Sequence, residues 1–313
     1  MDTVAVDRFE ASRPRLASLA YRLLGSAADA EDAVQDAFLR WQAADRARIE
    51  VPEAWLTKVV TNLCLDQLRS ARARHERAVG EQLPEPLLQG DPMLGPADTY
   101  EQRESVSLAV LTVMQRLAPV ERAAYVLREA FSYPHAEIAG ILDISESASQ
   151  QHVHRARRRV AAERRGGDGR TDPASARRVV EEFLLAATSG RVDQLVAMLT
   201  ADATAVSDGA GLAKRLLRFT DRKQIATFVR AGFRPTPAKI RLAGGAPALH
   251  VADVNGAPAV IAVVDGRVRG AVVLELRDGL VAGLCGIAAP ARLARLDAAW
   301  QQHGAESPAV ASW

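Results

Sequence analysis

The sequence predicts a multi-domain chain: two all-α domains, the second carrying a helix-turn-helix, followed by a cone-shaped α+β domain. Three observations predict it. Apolar residues recur at helical spacing from Leu16 to about residue 165, interrupted once by a stretch rich in proline and glycine. A dense arginine run at residues 155–165 then gives way to the flexible sequence GGDGRTD. Beyond that hinge, helical spacing yields to short apolar runs separated by Asn-Gly and Asp-Gly pairs, the signals of β-hairpins. The boundaries read as 1–77 for the first helical domain, 78–104 for a linker and 105–165 for the second helical domain. A hinge at 166–172 leads to the α+β domain at 173–305.

In the first domain Leu16, Leu19, Ala20, Leu23 and Leu24 form one apolar stripe, and Gly25 closes that helix. Ser26 is placed to cap the next helix, whose buried side is Ala30, Ala33, Val34, Ala37, Phe38 and Trp41. Its other side carries Asp29, Glu31, Asp32, Gln35 and Asp36. Carboxylates there suit the positive end of the helix dipole, and they equally suit a docking face for a basic partner. After a loop, Pro52 opens a third helix with Trp55, Leu56, Val59, Val60, Leu63 and Leu68 on its apolar stripe. Lys58, Thr61, Asn62, Arg69, Arg72 and Arg74 make the polar one, a cationic face that can lie on a phosphate backbone. Cys64 falls within the apolar part and reads as a small core residue.

Residues 78–104 alternate proline (84, 86, 92, 96) with glycine (80, 90, 95) and scattered carboxylates, an extended, acidic-tinted linker. Helix resumes near Ser105 through Val106, Ala109, Val110, Val113 and Leu117, and Pro119 opens another with Tyr125, Val126 and Leu127 inside. Two short helices follow, joined by Asp143-Ile144-Ser145, with Ser145 as the N-cap of the second. That second helix should bury Ser149, Val153, Ala156 and Val160. It should present Gln150, Gln151, His154, Arg155 and Arg158 outward. This is a helix-turn-helix whose outer face can donate hydrogen bonds into a DNA major groove; a solvated arginine face is the other reading of the same pattern.

Composition bounds the function. The chain has 313 residues, 48% of them hydrophobic and 25% charged, which are proportions of a globular protein with sizeable cores. A net charge of +2 means that the basic runs are local, not a property of the whole molecule. Two cysteines, Cys64 and Cys285, offer no disulfide framework and fit a reducing compartment. The first fifteen residues lack the pattern of a signal peptide, and no apolar run approaches the ~20 residues of a membrane helix. A cytoplasmic protein without membrane contact is expected. No metal-ligating cluster or cofactor motif stands out, so no cofactor, no metal and no catalytic residue are expected.

Four pieces then carry a resemblance, in order: DAEDAVQDAFLRW, WLTKVVTNLCLDQLR, a Pro-rich spacer with L-x-P-x-E-R-x-x-Y-V-L-R-E at residues 117–129, and a helix-turn-helix ending HRARRRV. About half of the chain thus resembles the extracytoplasmic-function (ECF) sigma factors of bacterial RNA polymerase. The resemblance implies that the first domain docks on the β′ clamp of core polymerase and opens the −10 element. It implies that the second docks on the β flap and reads the −35 element. On this chain it assigns polymerase docking to Asp29, Asp32, Gln35 and Asp36. Melting and capture of the −10 element fall to the loop at 44–51 and to Trp55, Lys58, Asn62, Arg69 and Arg72. Readout of the −35 element falls to Ser147, Gln150, Gln151, His154, Arg155 and Arg158; Gln can pair bidentately with adenine and Arg with guanine. Asp143 stands where the family often has a turn glycine, and aspartate tolerates that backbone.

The third domain opens with a helix capped by Asp172 and begun at Pro173, its stripe Val179, Val180, Phe183, Leu184 and Ala187. A second helix follows at about residues 192–199, then strands, and a helix from Pro290 closes the fold. Helices first and a curved antiparallel sheet after them resemble the SnoaL-like members of the NTF2-like superfamily, and a sigma factor with such a tail resembles the SigJ-type, or ECF41, group. That group carries a DGGGK motif. Here Asp208, Gly209, Ala210 and Gly211 are followed by leucine, with Lys214 displaced, so Asp208, Gly209, Gly211 and Lys214 are the candidate regulatory motif. The segment NGAPA begins at Asn255. The implied role of the tail is regulation in cis. A stand-alone helix-turn-helix regulator with a ligand-sensing cone is the alternative, and an enzyme using His250 with Asp208 or Asp253 is a third class.

Overall fold

The computed structural model describes residues 3–75, 82–95, 105–163, 172–213, 215–303 and 307–311. The hinge at 166–171, Lys214 and the side chains of Arg72 and Arg74 lie outside the described residues. The chain forms two compact units. One holds Met1–Val79 and Gly90–Glu163, the other Gly80–Gln89 and Arg164–Trp313.

The first unit is all helix. It comprises α1 (Thr3–Leu24), α2 (Ala27–Ala43), α3 (Pro52–His75), α4 (Leu108–Met114), α5 (Pro119–Glu129), α6 (His135–Leu142) and α7 (Glu146–Glu163). Between α1 and α2, Gly25 takes φ +69°, and the Ser26 hydroxyl accepts the Asp29 N–H at 3.2 Å, supplying the cap that the free amides of a helix start require. Aromatic contacts lock the three-helix core: Phe9 lies 4.9 Å from Phe38 and Trp41 lies 5.7 Å from Trp55, centroid to centroid. The Trp41 indole donates to the Ala5 carbonyl at 2.9 Å.

α3 departs from its expected polar stripe. Thr61 is fully buried, not exposed, and Thr57 is buried beside it. The reason is tertiary: α3 packs against α1 and α2 on one side and against α5 and α6 on the other. The Thr57 hydroxyl donates to the Glu53 carbonyl at 2.8 Å and lies 3.1 Å from the Tyr133 hydroxyl. Cys64 sits in the same core, where burial pushes its thiol pKa far up, so it is a packed side chain and not a nucleophile.

In the second unit a six-stranded sheet has the order β2-β1-β6-β5-β4-β3. The strands are β1 (Leu199–Ser207), β2 (Leu217–Phe219), β3 (Ala248–Val254), β4 (Ala257–Val264), β5 (Arg267–Arg277) and β6 (Leu280–Ile287). Hairpins at Asn255-Gly256, Asp265-Gly266 and Asp278-Gly279 join β3 through β6, with all six turn residues at positive φ, as the right-handed twist of the strands demands. The sheet is mixed, not purely antiparallel: β1 runs parallel to β6. No hairpin links these two strands, so turn geometry does not dictate their relative direction.

α8 (Pro173–Ser189), α9 (Val192–Met198) and α10 (Arg222–Phe233) cover one face of the sheet, burying Phe183, Leu184, Leu195, Ile225 and Val229 against Leu249, Val260, Leu274 and Leu284. A short α11 (Pro237–Ala243) follows α10 and has no fully buried residue. α12 (Pro290–His303) packs Leu293, Leu296 and Trp300, and its Asp297 carboxylate accepts the Val268 N–H at 2.8 Å.

The linker segment at 82–89 belongs to this second unit. It is extended as expected, but residues 83–87 (Leu-Pro-Glu-Pro-Leu) are buried and not solvated. Leu88 bridges Val254 at the open edge of β3, Gln89 N–H donates to the Asp253 carbonyl at 2.9 Å, and Asn255 N–H donates to the Leu87 carbonyl at 2.9 Å. The Asn255 amide oxygen accepts the Leu87 N–H at 2.7 Å. Arg292 pairs with Glu85 at 3.6 Å. Farther along the same edge, Leu249 and Val310 exchange backbone bonds of 2.9 and 3.2 Å.

Replacing Asn255 by alanine removes a buried acceptor and puts a side chain with no local hydrogen bond at φ +53°. We expect a loss of about 1–3 kcal/mol of unit stability in thermal unfolding. Cleavage within residues 82–89 should be faster in limited proteolysis read by mass spectrometry. Asn255→Gly relieves the backbone but should still free the segment.

Candidate nucleic-acid and polymerase interfaces

The helix-turn-helix is built locally. The α6 helix ends at Asp143, which takes the left-handed conformation at φ 54° and ψ 47°, and Ile144 N–H closes the turn onto the Ala139 carbonyl at 3.1 Å. The Ser145 hydroxyl then accepts the Ala148 N–H at 3.1 Å and starts α7. His135 Nδ1 lies 3.0 Å from the Ser149 hydroxyl, tying the two helices where they cross.

On α7, Ser149, Val153, Ala156 and Val160 are buried, and Ser147, Gln150, Gln151, His154, Arg155 and Arg158 are exposed. Gln150, Gln151, His154 and Arg158 make no hydrogen bond with a described residue, so their donors are available to an incoming base edge. Arg155 differs. Its Nε donates to Glu121 of α5 at 2.8 Å, and its Nη2 lies 2.8 Å from His152 Nδ1. Arg159, not singled out from the sequence, donates to the other Glu121 oxygen at 2.6 Å, and Arg157 pairs with Glu129 at 2.8 Å. Part of the arginine run therefore fixes α7 onto α5, and only part faces outward.

Burial works to raise the Glu121 pKa, but the hydrogen bond from Arg155 and the charge of Arg159 outweigh it and hold the carboxyl below its usual range. His152 is shifted down, by burial and then by the charge of Arg155. The signal for Glu121 was present as a carboxylate in the first turn of α5, but its partners lie 34 and 38 residues away, beyond any local pattern.

On α3 the expected −10 residues take separate environments. Trp55 is half-buried against Trp41, Asn62 is half-buried, and Arg69 is exposed and 3.3 Å from Asp66. Lys58 reaches across to the helix-turn-helix, donating to Asp143 at 2.6 Å and to the Gly140 carbonyl at 2.8 Å. On α2, Asp29, Asp32, Gln35 and Asp36 are all exposed, and Leu39, one turn on, is 56% exposed. That apolar side chain beside the carboxylates was not foreseen.

Two buried guanidiniums join the halves of this unit. Arg22 of α1 donates to the Ser105 hydroxyl and the Leu94 carbonyl, both at 2.9 Å, and to Ser18. Arg122 of α5 donates to the Leu23 carbonyl at 2.7 Å. Burial lowers both pKa values to about 10.

Residues 8–74 match the family model for Sigma-70 region 2, and residues 107–160 match that for Sigma-70, region 4. Over 213 residues, 68% of this chain and 68% of its relative, the chain is 42% identical to the ECF RNA polymerase sigma factor SigJ of Mycobacterium tuberculosis. It is 30% identical over 291 residues to the probable ECF RNA polymerase sigma factor SigI of the same species, covering 91% of this chain and 93% of that one. The chain belongs to the ECF family of RNA polymerase sigma factors. The crystal structure of M. tuberculosis SigJ matches it with a TM-score of 0.68 at 34% identity, over 93% of this chain and 98% of that one, so the likeness takes in the C-terminal domain. As a sigma factor it binds core RNA polymerase and directs it to promoters. A stand-alone regulator would have no use for region 2.

In the tail of this ECF factor, Asp208 shapes a turn. Its carboxylate accepts the N–H groups of Ala210 at 2.9 Å, Ala288 at 3.0 Å and Ala289 at 2.8 Å. Gly209 and Gly211 take φ +57° and +73°, and a Cβ on Gly209 would lie 2.9 Å from that of Ala213. His250 is buried against Trp300, 5.1 Å between ring centroids, and borders a cavity with Asp253. With three amides on its carboxylate, Asp208 is a backbone anchor. No helix among the described residues is long and apolar enough to cross a membrane.

The Glu121 shift fixes a pH dependence. A carboxyl with a lower pKa in the folded state adds stability above its unfolded pKa of about 4.3 and loses it as pH falls through the folded value. We expect the melting temperature to drop as pH falls below about 5, and Glu121→Gln to lower the neutral-pH value while flattening that drop.

Proposed function

We propose that this sigma factor is regulated in cis by its own C-terminal domain, through the linker between its two DNA-binding halves. The observation that carries the reading is the burial of residues 83–87 in the C-terminal unit, fastened by Asn255. The acidic face of α2 (Asp29, Asp32, Gln35, Asp36) docks on the β′ clamp, and region 4 docks on the β flap. Trp55, Lys58, Asn62, Arg69 and Arg72 serve the −10 element, and the outer face of α7 serves the −35 element. The factor works in the cytoplasm, where polymerase and promoters are.

The −10 and −35 elements lie about 25 base pairs apart, on the order of 85 Å at 3.4 Å per pair. Lys58 on the −10 helix touches Asp143 in the −35 reader at 2.6 Å. One chain in this arrangement does not span both elements, so the halves must separate on the promoter, and they separate only as far as the linker between them is free. A domain that incorporates residues 82–89 into its own sheet edge controls that length.

The test is run-off transcription with purified core enzyme. A chain ending at residue 167 and the full-length Leu87→Asp variant, which expels the linker, should both change promoter-directed output; output identical to the parent from both would overturn the reading. Charge reversal at Asp32 and Asp36 should weaken core binding roughly tenfold or more, about 1.4 kcal/mol, as expected when rim charges turn repulsive. Because both carboxylates are exposed, the melting temperature should hold.

A further inference from the structure

We propose that the C-terminal domain binds a small amphipathic anion, an apolar body ending in one carboxylate, in the cavity between its sheet and α11, with Arg269 as the anion's partner. The cavity is about 480 Å³. That is within the range of small-molecule sites, and an apolar cavity of about 150 Å³ already takes a benzene-sized guest. Its space comes from the sequence: Ala205, Ala262, Gly270 and Gly286 stand at sheet positions facing it, where a close-packed core would use larger residues.

The chemistry of the wall names the ligand class. Among the described residues lining the cavity there is no carboxylate, and the two cations are Lys239 and Arg269. Lys239 is committed to the fold. Its ammonium donates to the carbonyls of Ala231, Gly232 and Arg234 at the end of α10, which pins α11 in place. Arg269 is exposed and makes no hydrogen bond or ion pair with a described residue. It is the charge left to select a ligand.

The mouth is apolar. Leu212 is 77% exposed and Leu242 is 70% exposed, and both line the cavity. Exposed leucines clustered at a concave opening mark a binding surface more often than scattered ones do. Along α11, Ile240, Leu242 and Ala243 all face the cavity and none is fully buried, so a bound apolar chain would complete the packing of that helix. Leu212 also stands where the expected regulatory motif has its lysine, and Ser207 and Ala210 of that turn share the wall. The chain thus puts an apolar side chain of its own on the rim.

Calorimetric titration of the full-length chain with hexanoate, octanoate, decanoate and decanol tests this. Saturable binding of decanoate is expected, tightening roughly fourfold per added methylene. Arg269→Ala should weaken decanoate roughly fivefold, the upper end for an exposed ion pair, and leave decanol unchanged. Ala262→Phe should fill the cavity and abolish both with an unchanged circular dichroism spectrum; should it misfold, Leu242→Ser on the exposed rim should weaken both. Absence of saturable decanoate binding, binding that survives in folded Ala262→Phe or in Leu242→Ser, or decanoate affinity indifferent to Arg269 overturns the proposal.

Discussion

Two desolvated guanidiniums hold the DNA-binding unit together, and much of its behaviour depends on them. Arg22 and Arg122 are 3% and 5% exposed, and at pKa values of about 10 both stay charged at neutral pH. Taking such ions out of water costs several kcal/mol each, offset only when their donors are satisfied. Arg22 meets that condition through region 2, the linker end and Ser105 at once. Arg122 meets it only in part: its Nε has no partner among the described residues. The packed form therefore needs all of its contacts in place, because a partly opened interface leaves a buried charge unsatisfied. A fully opened one returns water to both arginines, so complete separation costs less than the list of broken bonds suggests.

The linker is held by a different device. Each of three hairpins needs a first turn residue at positive φ, and asparagine and aspartate are the non-glycine residues that tolerate it best. Asp265 and Asp278 fill the role in exposed turns, whereas Asn255 is 1% exposed. The amide offers the Leu87 N–H an acceptor without a charge to desolvate, which aspartate there would bring. One side chain thus turns a hairpin and fastens the linker. The backbone does the rest: β3 would otherwise present an open edge, and Leu88 and Val310 close it at two points.

What the sequence made legible was local. The caps at Ser26, Ser145 and Asp172, the left-handed Asp143, the three hairpin turns and the two faces of α7 follow from spacing and residue type. What it hid was non-local. Thr61 read as polar surface because nothing in α3 itself says that the helix is sandwiched between two neighbours. Residues 83–87 read as solvated spacer because prolines and a carboxylate look alike whether they face water or a sheet edge. Arg155 read as part of a free outward face, and Arg159 was not singled out, since the carboxylate that orients both comes from another helix. β1 read as one more antiparallel strand, because hairpin signals give direction only between strands they connect. α10 was overlooked although Asp221 caps it, its N-cap signal lying between two glycine-containing stretches.

Asp143 joins these levels. A turn glycine would serve the left-handed conformation equally well but would have nothing to offer Lys58. With aspartate there, the turn that sets α7 also holds a lysine from α3. The pair is exposed on both sides, 40% and 72%, so it contributes at most about 1 kcal/mol in water. It is a latch, whereas the buried arginines are the bolt. In the proposed −10 role of Lys58, promoter phosphate would offer it a partner of higher charge density and repel the carboxylate of Asp143. Lys58 cannot serve both at once, so under the role proposed for it, engagement with DNA and the packing of α3 against the α6–α7 turn exclude one another through a single side chain.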